Sequence, residues 1–454
     1  MEKLLGKIHK FYLNNQHIIL DIGSGSIHLV DPLVYDIIDD IKVLSKEEVL
    51  AKWEGTYPKE DLTRAIEEVA LLIKDELLFA EDSPLDLSSF NPDFKIKALC
   101  LHVSHDCNLR CTYCFASQGD FKGQRMLMDL ETGKKALDFL IASSGDRYHL
   151  EVDFFGGEPL MNFDLVKDLV AYGRQEEKKF NKKFRFTLTT NGVLLDDEII
   201  DFANREMDNV VLSLDGRPEV NDAMRPTTNG KGSYDLIAQK FKKLVDRRGD
   251  KDYYIRGTFT NKNLDFSEDV RHYHDLGFKK TSMEPVVTDP KEDYAIREEH
   301  LAQILKEYEK LSKDYMDIRK TDPDFLFFHY MIDLSGGPCA YKKSVGCGAG
   351  SDYIAITPQG DIYPCHQFVG EEEFLMGNVF EGIKRRDLQK RFQEAHIFNK
   401  EDCQTCWAKY YCSGGCHANA WYNNQDILKP FGLACDMEKK RIECAISIYA
   451  KEME

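Results

Sequence analysis

Residues Ser104–Ala116 read SHDCNLRCTYCFA, and three cysteines in that stretch, Cys107, Cys111 and Cys114, are spaced C-x3-C-x2-C. The run follows KIKALCLHVS (95–104), whose apolar and β-branched residues predict a strand. Three thiolates on one compact loop can bind three irons of a 4Fe-4S cube and leave the fourth iron open to an external chelating group. A zinc ion would want a fourth protein ligand, and His105 is near enough in sequence to supply one. From this loop alone both metals stay open. Cys100, inside the strand, reads as a packed core thiol.

The other cysteines narrow the choice. The chain has 454 residues and 13 cysteines. After Cys114 a span of 224 residues holds none, and nine more lie from Cys339 to Cys444. Buried core thiols would scatter, so this distribution marks two ligand regions separated by a scaffold. The N-terminal residues MEKLLGKIHKFYLNNQHIIL lack the apolar core of a secretory signal, and no window reaches the roughly 18 apolar residues of a spanning helix. A cytoplasmic location is expected, where thiols stay reduced and a disulfide framework is excluded. A net charge of −18 argues against nucleic acid and anionic lipid as partners.

Working outward, residues 95 to about 315 alternate strand and helix. Predicted strands are KIKALCLHVS, HLEVDFFGG, FRFTLTT, NVVLSLDG, YYIRGTFT and KKTSMEPVV. Between them lie amphipathic segments such as LETGKKALDFLIAS, DLVKDLVAYGRQEEKKF and SYDLIAQKFKKLVDRR. Six βα units predict a parallel sheet curved into a partial barrel, with its site at the strand C-termini. Residues 1 to about 90 form a separate module. Strands IHKFYL, HIILDIG and SIHLVDP precede helices PLVYDIIDDIKVL, SKEEVLAKW and EDLTRAIEEVALLIKDELLF, and Ser45 with Glu48 makes a capping box. The loop AEDSPLDLSSFNPD (80–93) reads as a linker. From about 335 the chain becomes rich in Gly and Cys, and only short elements are expected.

With these motifs in view, the chain resembles the radical S-adenosylmethionine (SAM) superfamily. The cysteine loop after the first strand, GGEP at Gly156–Pro159, TTNG at Thr189–Gly192 and SLDG at Ser213–Gly216 each end a successive strand, as in the peptide-maturing branch of that family. The resemblance implies that Cys107, Cys111 and Cys114 hold the SAM cluster. It also implies SAM contacts at Gly156, Gly157, Glu158, Pro159, Ser213 and Arg225, whose guanidinium would grip the SAM carboxylate. The implied chemistry is reductive cleavage of SAM to a 5′-deoxyadenosyl radical that takes a hydrogen from an unactivated carbon.

The C-terminal cysteines resemble the SPASM extension of these maturases. CGAGSDYIAITPQGDIYPC (347–365) is followed by CQTCWAKYYCSGGCH (403–417) and then Cys435. The resemblance implies two auxiliary 4Fe-4S clusters, making three in all. Cys403, Cys406, Cys412 and Cys435 would bind the distal one, and Cys347, Cys365 and Cys416 the proximal one. Cys339 would join the proximal set or, by not ligating, leave an open iron there. Cys444 reads as a core thiol, and His417 as no ligand. His366 stands where sulfatase-maturing relatives carry an Asp, as a candidate proton acceptor or a hydrogen-bonding neighbour of the cluster.

The resemblance sets the expected organisation. Residues 1–85 would be a winged-helix-like leader-peptide recognition element, 86–320 a partial (β/α)6 barrel, and 321–454 the SPASM domain. The strand at Ser26–Val30 and the helix at Glu60–Phe79 would form a groove that takes a leader peptide by β-augmentation. The nearest likeness is to the thioether-forming maturases of SCIFF peptides, among the sactipeptide and ranthipeptide enzymes. Expected partners are a Cys-rich precursor peptide and an external one-electron reductant, ferredoxin or flavodoxin. The alternatives are formylglycine formation, carbon–carbon crosslinking and, from another class, a zinc-dependent peptide-binding adaptor.

Overall fold

The computed structural model describes residues 6–82, 94–334 and 344–453. Most of the 80–93 linker and Cys339 therefore lie outside the described residues.

The N-terminal strands β1 (Ile8–Leu13), β2 (Gln16–Asp21) and β3 (Ile27–Val30) form an antiparallel sheet in that order. Asn14 and Asn15, at φ 52° and 62°, make the two-residue turn that joins the first pair, a conformation asparagine tolerates well. Helices α1 (Pro32–Ile41), α2 (Lys46–Trp53) and α3 (Lys59–Lys74) follow. Ser45 and Glu48 close the expected capping box on α2. Ile19 of the sheet packs with Ile38, Val69, Leu78 and Phe79 to give the module its core.

The scaffold is the predicted alternation. Strands β4 (Ala98–His105), β6 (His149–Gly156), β7 (Lys183–Thr190), β8 (Asn209–Ser213), β9 (Asp252–Phe259) and β10 (Lys280–Pro285) pair in sequence order, all parallel. The short β5 (Met126–Leu127) runs antiparallel to the end of β4. Helices α4 (Leu130–Ser143), α5 (Phe163–Phe180), α6 (Asp197–Glu206), α7 (Pro218–Met224), α8 (Tyr234–Asp246), α9 (Phe266–Asp275) and α10 (Glu298–Thr321) lie in the connections. Because strand side chains alternate, Leu99, Leu101, Val103, Val152, Phe154 and Phe186 go to the main core. Their neighbours Cys100, Asp153, Arg256 and Glu284 take the other face. That polar face is what makes a site possible.

Two features depart from expectation. The sheet extends beyond six strands on both sides. Leu326–Phe327 (β11) joins β10, and Tyr353–Ile356 (β12), within the Gly- and Cys-rich region, lies parallel to β4. Asp361–Tyr363 (β13) and two further short strands continue it, giving twelve strands among the described residues. The expectation of only short elements after residue 335 also fails, because Gly432–Met453 is one helix of 22 residues. It packs along α10 and reaches the N-terminal sheet, where Ser447 bonds Asn14 at 3.0 Å and Gln16 at 2.7 Å. A helix covered on several sides loses the amphipathic period that would reveal its length.

Candidate active site

Backbone pairing fixes the first cysteine loop. Arg110 N donates to Pro226 O at 2.8 Å and Thr112 N to Met224 O at 2.9 Å, and Leu109 bridges Thr227. The loop therefore lies on the segment that carries Arg225. On its other side Gly157 N donates to Ser104 O at 2.8 Å and Glu158 N to Asp106 O at 2.9 Å. Glycine is required at 156, where φ is 129° and a Cβ would stand 2.1 Å from Ser104 O. Burial pushes the Cys107 thiol up to about 12 and Cys111 up to about 11, so both become thiolates only against a compensating cation.

His105 does not face the thiols. Its Nε2 meets Nδ1 of His102 at 3.1 Å and its ring lies against Phe121. Burial lowers both imidazoles, His105 to about 4. A tetrahedral zinc with Zn–S near 2.3 Å needs sulfurs about 3.8 Å apart. Among the described residues no three His, Cys, Asp or Glu side chains converge on a point that would hold one metal ion in that way.

The other strand ends interlock. Glu158 is wholly buried, and its carboxylate accepts from Thr190 Oγ1 at 2.7 Å, Asn191 N at 2.8 Å and Leu160 N at 3.0 Å. GGEP is thereby tied to TTNG, and Asn191 Nδ2 reaches Asn108 Oδ1 at 2.8 Å. Arg225 Nη1 donates to the Tyr113 hydroxyl at 2.8 Å, and Tyr113 donates to Asp215 at 2.6 Å. Among the described residues Arg225 Nε is buried without a partner. An orphaned guanidinium nitrogen beside the cysteine loop suits a ligand carboxylate, so the residues present fit SAM.

The auxiliary cysteines fall into two groups. Cys347 and Cys416 act on each other and on Cys365 electrostatically. Cys412 is affected by Cys435, Cys403 and Cys406. Cys100 and Cys444 are buried core thiols, at 1% and 0% exposure. His417 points Nε2 at Ala395 O, 3.1 Å away, and not at a cysteine. His366 Nδ1 meets the Tyr353 hydroxyl at 3.1 Å, and burial lowers its pKa to about 3.

One cavity of about 720 Å³ joins these parts. Cys107, Cys114 and Arg225 line it, and so do Cys347, Cys365 and Cys416. Its wall also carries charged residues that the sequence motifs did not reveal. Glu284 pairs with His329 at 3.1 Å, Arg441 Nη1 contacts His329 Nδ1 at 2.9 Å, and Arg256 faces the cavity. Charged residues inside otherwise apolar strands, as in YYIRGTF and SMEPVV, are the pattern that could have revealed two of them.

The radical SAM superfamily model matches residues 101–255, and the model of the SPASM iron-sulfur cluster-binding domain matches 347–407. Uncharacterized protein MJ0907 of Methanocaldococcus jannaschii is 32% identical over 289 residues, 63% of this chain and 89% of that protein. A cysteine-type anaerobic sulfatase-maturating enzyme of Clostridium novyi is 26% identical over 70% of this chain and 86% of its own. Streptococcus suis SuiB, solved with S-adenosylmethionine, superposes with TM-score 0.52 at 18% identity, covering 94% of this chain and 98% of SuiB. Fold, strand-end motifs and cysteine sets together define a SAM-dependent iron-sulfur enzyme. The chain belongs to the radical SAM superfamily and carries a SPASM domain. Among the described residues no helix is long and apolar enough to cross a membrane.

Proposed function

We propose that the chain installs a thioether between a Cys sulfur and a carbon of another residue in a ribosomally made, Cys-rich precursor peptide. The observation that carries this reading is one cavity lined by Cys107, Cys111 and Cys114 and also by cysteines of both auxiliary groups, Cys347, Cys365 and Cys416 together with Cys412 and Cys435. A substrate in the part of it that the clusters and SAM leave free would lie between the first set and the auxiliary ones. Cys107, Cys111 and Cys114 would hold the SAM cluster. Gly156–Pro159, Ser213 and Arg225 would hold SAM, with Arg225 Nε and the GGEP backbone as its polar contacts. Bound there, cluster and SAM supply one-electron chemistry able to remove a hydrogen atom from an unactivated carbon.

The chain's own residues orient and shield. Tyr113 and Asp215 fix Arg225, and Phe115, Phe155 and Tyr353 surround His366 and exclude water from the cavity's middle. Cys347 and Cys416 are exposed to the cavity. Cys347, Cys365 and Cys416, with Cys339 or without it, would hold the proximal cluster, which would supply one-electron acceptance for sulfur–carbon bond formation.

Support for the leader groove comes from β3, which among the described residues pairs only with β2. Leu29, Leu71 and Leu77 are exposed around it, and His28 Nε2 ties the strand to Leu77 O at 2.9 Å. SuiB has also been solved bound to precursor peptide SuiA, with TM-score 0.51 at 16% identity over 93% of this chain and 97% of SuiB.

The C. novyi relative's name favours formylglycine formation as a second reading, but His366 replaces the Asp expected after the YPC cysteine. Anaerobic co-expression with a Cys-rich precursor decides. Loss of two hydrogens per link together with loss of one alkylatable thiol supports the thioether. A product with an aldehyde and no crosslink rejects it.

A further inference from the structure

Lys400 has no exposed surface, and among the described residues no carboxylate pairs with it. Lysine is almost never fully buried without a partner, because an ammonium loses its hydration there. Its Nζ donates to Gly414 O at 2.7 Å. Gly414 is held at φ 88°, and a Cβ there would stand 3.3 Å from that Nζ. One neutral carbonyl is poor compensation for a buried cation with three donors.

Burial pushes the Lys400 pKa down, and the groups near enough to oppose that fall are cysteines. Cys403 and Cys412 act on it from one cysteine set, and Cys347 and Cys416 from the other. The Gly414 carbonyl belongs to the CSGGC turn (412–416), which carries one cysteine of each set at its two ends. Lys400 therefore stands at the seam between the groups. As free thiols these cysteines leave it uncompensated. As ligands of anionic clusters they surround it with negative charge that increases on reduction.

We propose that Lys400 is the shared counter-charge of the two auxiliary clusters, holding the CSGGC turn through Gly414 and stabilising the reduced state of both. It is a positioning residue, and this inference rests on the cluster reading above. A nearby cation raises a cluster's reduction potential, and this one acts on two clusters at once.

The test is an EPR-monitored potentiometric titration of anaerobically reconstituted full-length protein. Wild type should hold about twelve irons, four per cube. Clearly fewer, with no auxiliary signals, would reject the cluster reading itself, independently of Lys400. Lys400→Gln keeps a hydrogen bond to Gly414 O without the charge. Both auxiliary potentials should become more negative, while the SAM cluster's stays in place. Lys400→Arg keeps the charge and should leave both near wild type. Unchanged auxiliary potentials in the Gln variant at full iron content overturn the proposal. If the Gln variant loses its auxiliary irons, the Arg variant decides. Irons retained in Arg and lost in Gln support the counter-charge, and irons lost alike in both overturn it in favour of packing.

Discussion

The His9 imidazole on β1 lies flat on the Trp407 indole, ring centroids 3.8 Å apart and planes within 4°. Trp407 follows Cys406, a proposed distal-cluster ligand, so the N-terminal sheet rests on the loop that would hold that cluster. Glu443 fixes His9 from the other side at 2.9 Å, and Asp82 bonds the Tyr410 hydroxyl at 2.6 Å. Trp407→Ala should destabilise this junction by about 1–3 kcal/mol. Hydrogen exchange is expected to accelerate in β1 and β2 more than in the barrel strands. Uniform exchange across the chain would show that the stack does not hold the module.

Arg225 should govern SAM affinity through its planar fork. Arg225→Met is expected to weaken SAM about 100-fold, and Arg225→Lys nearly as much, because a lysine cannot replace a bidentate contact. Tyr113→Phe removes the bond that aims the guanidinium and should cost about tenfold, in line with about 1.4 kcal/mol. Equilibrium binding on anaerobically reconstituted protein measures all three. An unchanged Kd in Arg225→Met would place the SAM carboxylate elsewhere.

How much of this was legible in the sequence depended on whether the information was local. The six barrel strands were readable because apolar alternation and strand-end glycines lie within each segment. The spacing of the first cysteine loop was readable because it is itself sequence, whereas the division of the later cysteines into two sets is what the family resemblance implies. The pairing of Tyr353–Ile356 with β4 was not, since YIAI has no local mark of a partner some 250 residues away. Lys400 was missed for a related reason. In FNKEDCQTC it looks like one more solvated charge, and only the packed turn at Gly414 shows it to be buried.

Iron content should divide by thirds. Replacing Cys107, Cys111 and Cys114 together by Ala is expected to remove about four irons and all SAM binding while leaving the auxiliary clusters. Replacing Cys347, Cys365 and Cys416 should remove a similar amount yet retain SAM binding. Iron assays with equilibrium dialysis of SAM check both. If the second triple variant also lost SAM binding, the two sets would not be independent.

Asp153 ties stability to pH. Burial pushes its carboxyl up to about 7, with Thr189 Oγ1 donating to it at 3.0 Å and Arg256 nearby as partial compensation. An acid whose folded pKa exceeds its unfolded value binds more protons when folded, so stability falls as pH rises from about 4 to 7 and is then level. Asp153→Asn removes that loss, and the Thr189 hydroxyl can still donate to the amide oxygen. At equal iron loading, the variant's melting temperature should gain on wild type between pH 5 and pH 8. A gap independent of pH would mean the carboxyl titrates normally.

Gly156 separates site geometry from general stability. Its φ of 129° and the 2.1 Å approach to Ser104 O leave no space for a methyl group. Gly156→Ala must therefore move the end of β6 away from the end of β4, and GGEP away from the cysteine loop. Gly249→Ala is the control, because Gly249 also has positive φ, at 63°, but nothing lies within 4 Å of the point a Cβ would occupy there. The left-handed backbone costs Gly249→Ala about 1 kcal/mol, and the φ of Gly156, outside that region, costs its variant more. Only Gly156→Ala should weaken SAM, by tenfold or more, since only there does relief of the clash move a proposed contact. Equal SAM affinity in the two variants would mean that GGEP can shift without changing the site, and that its backbone does not meet the cofactor.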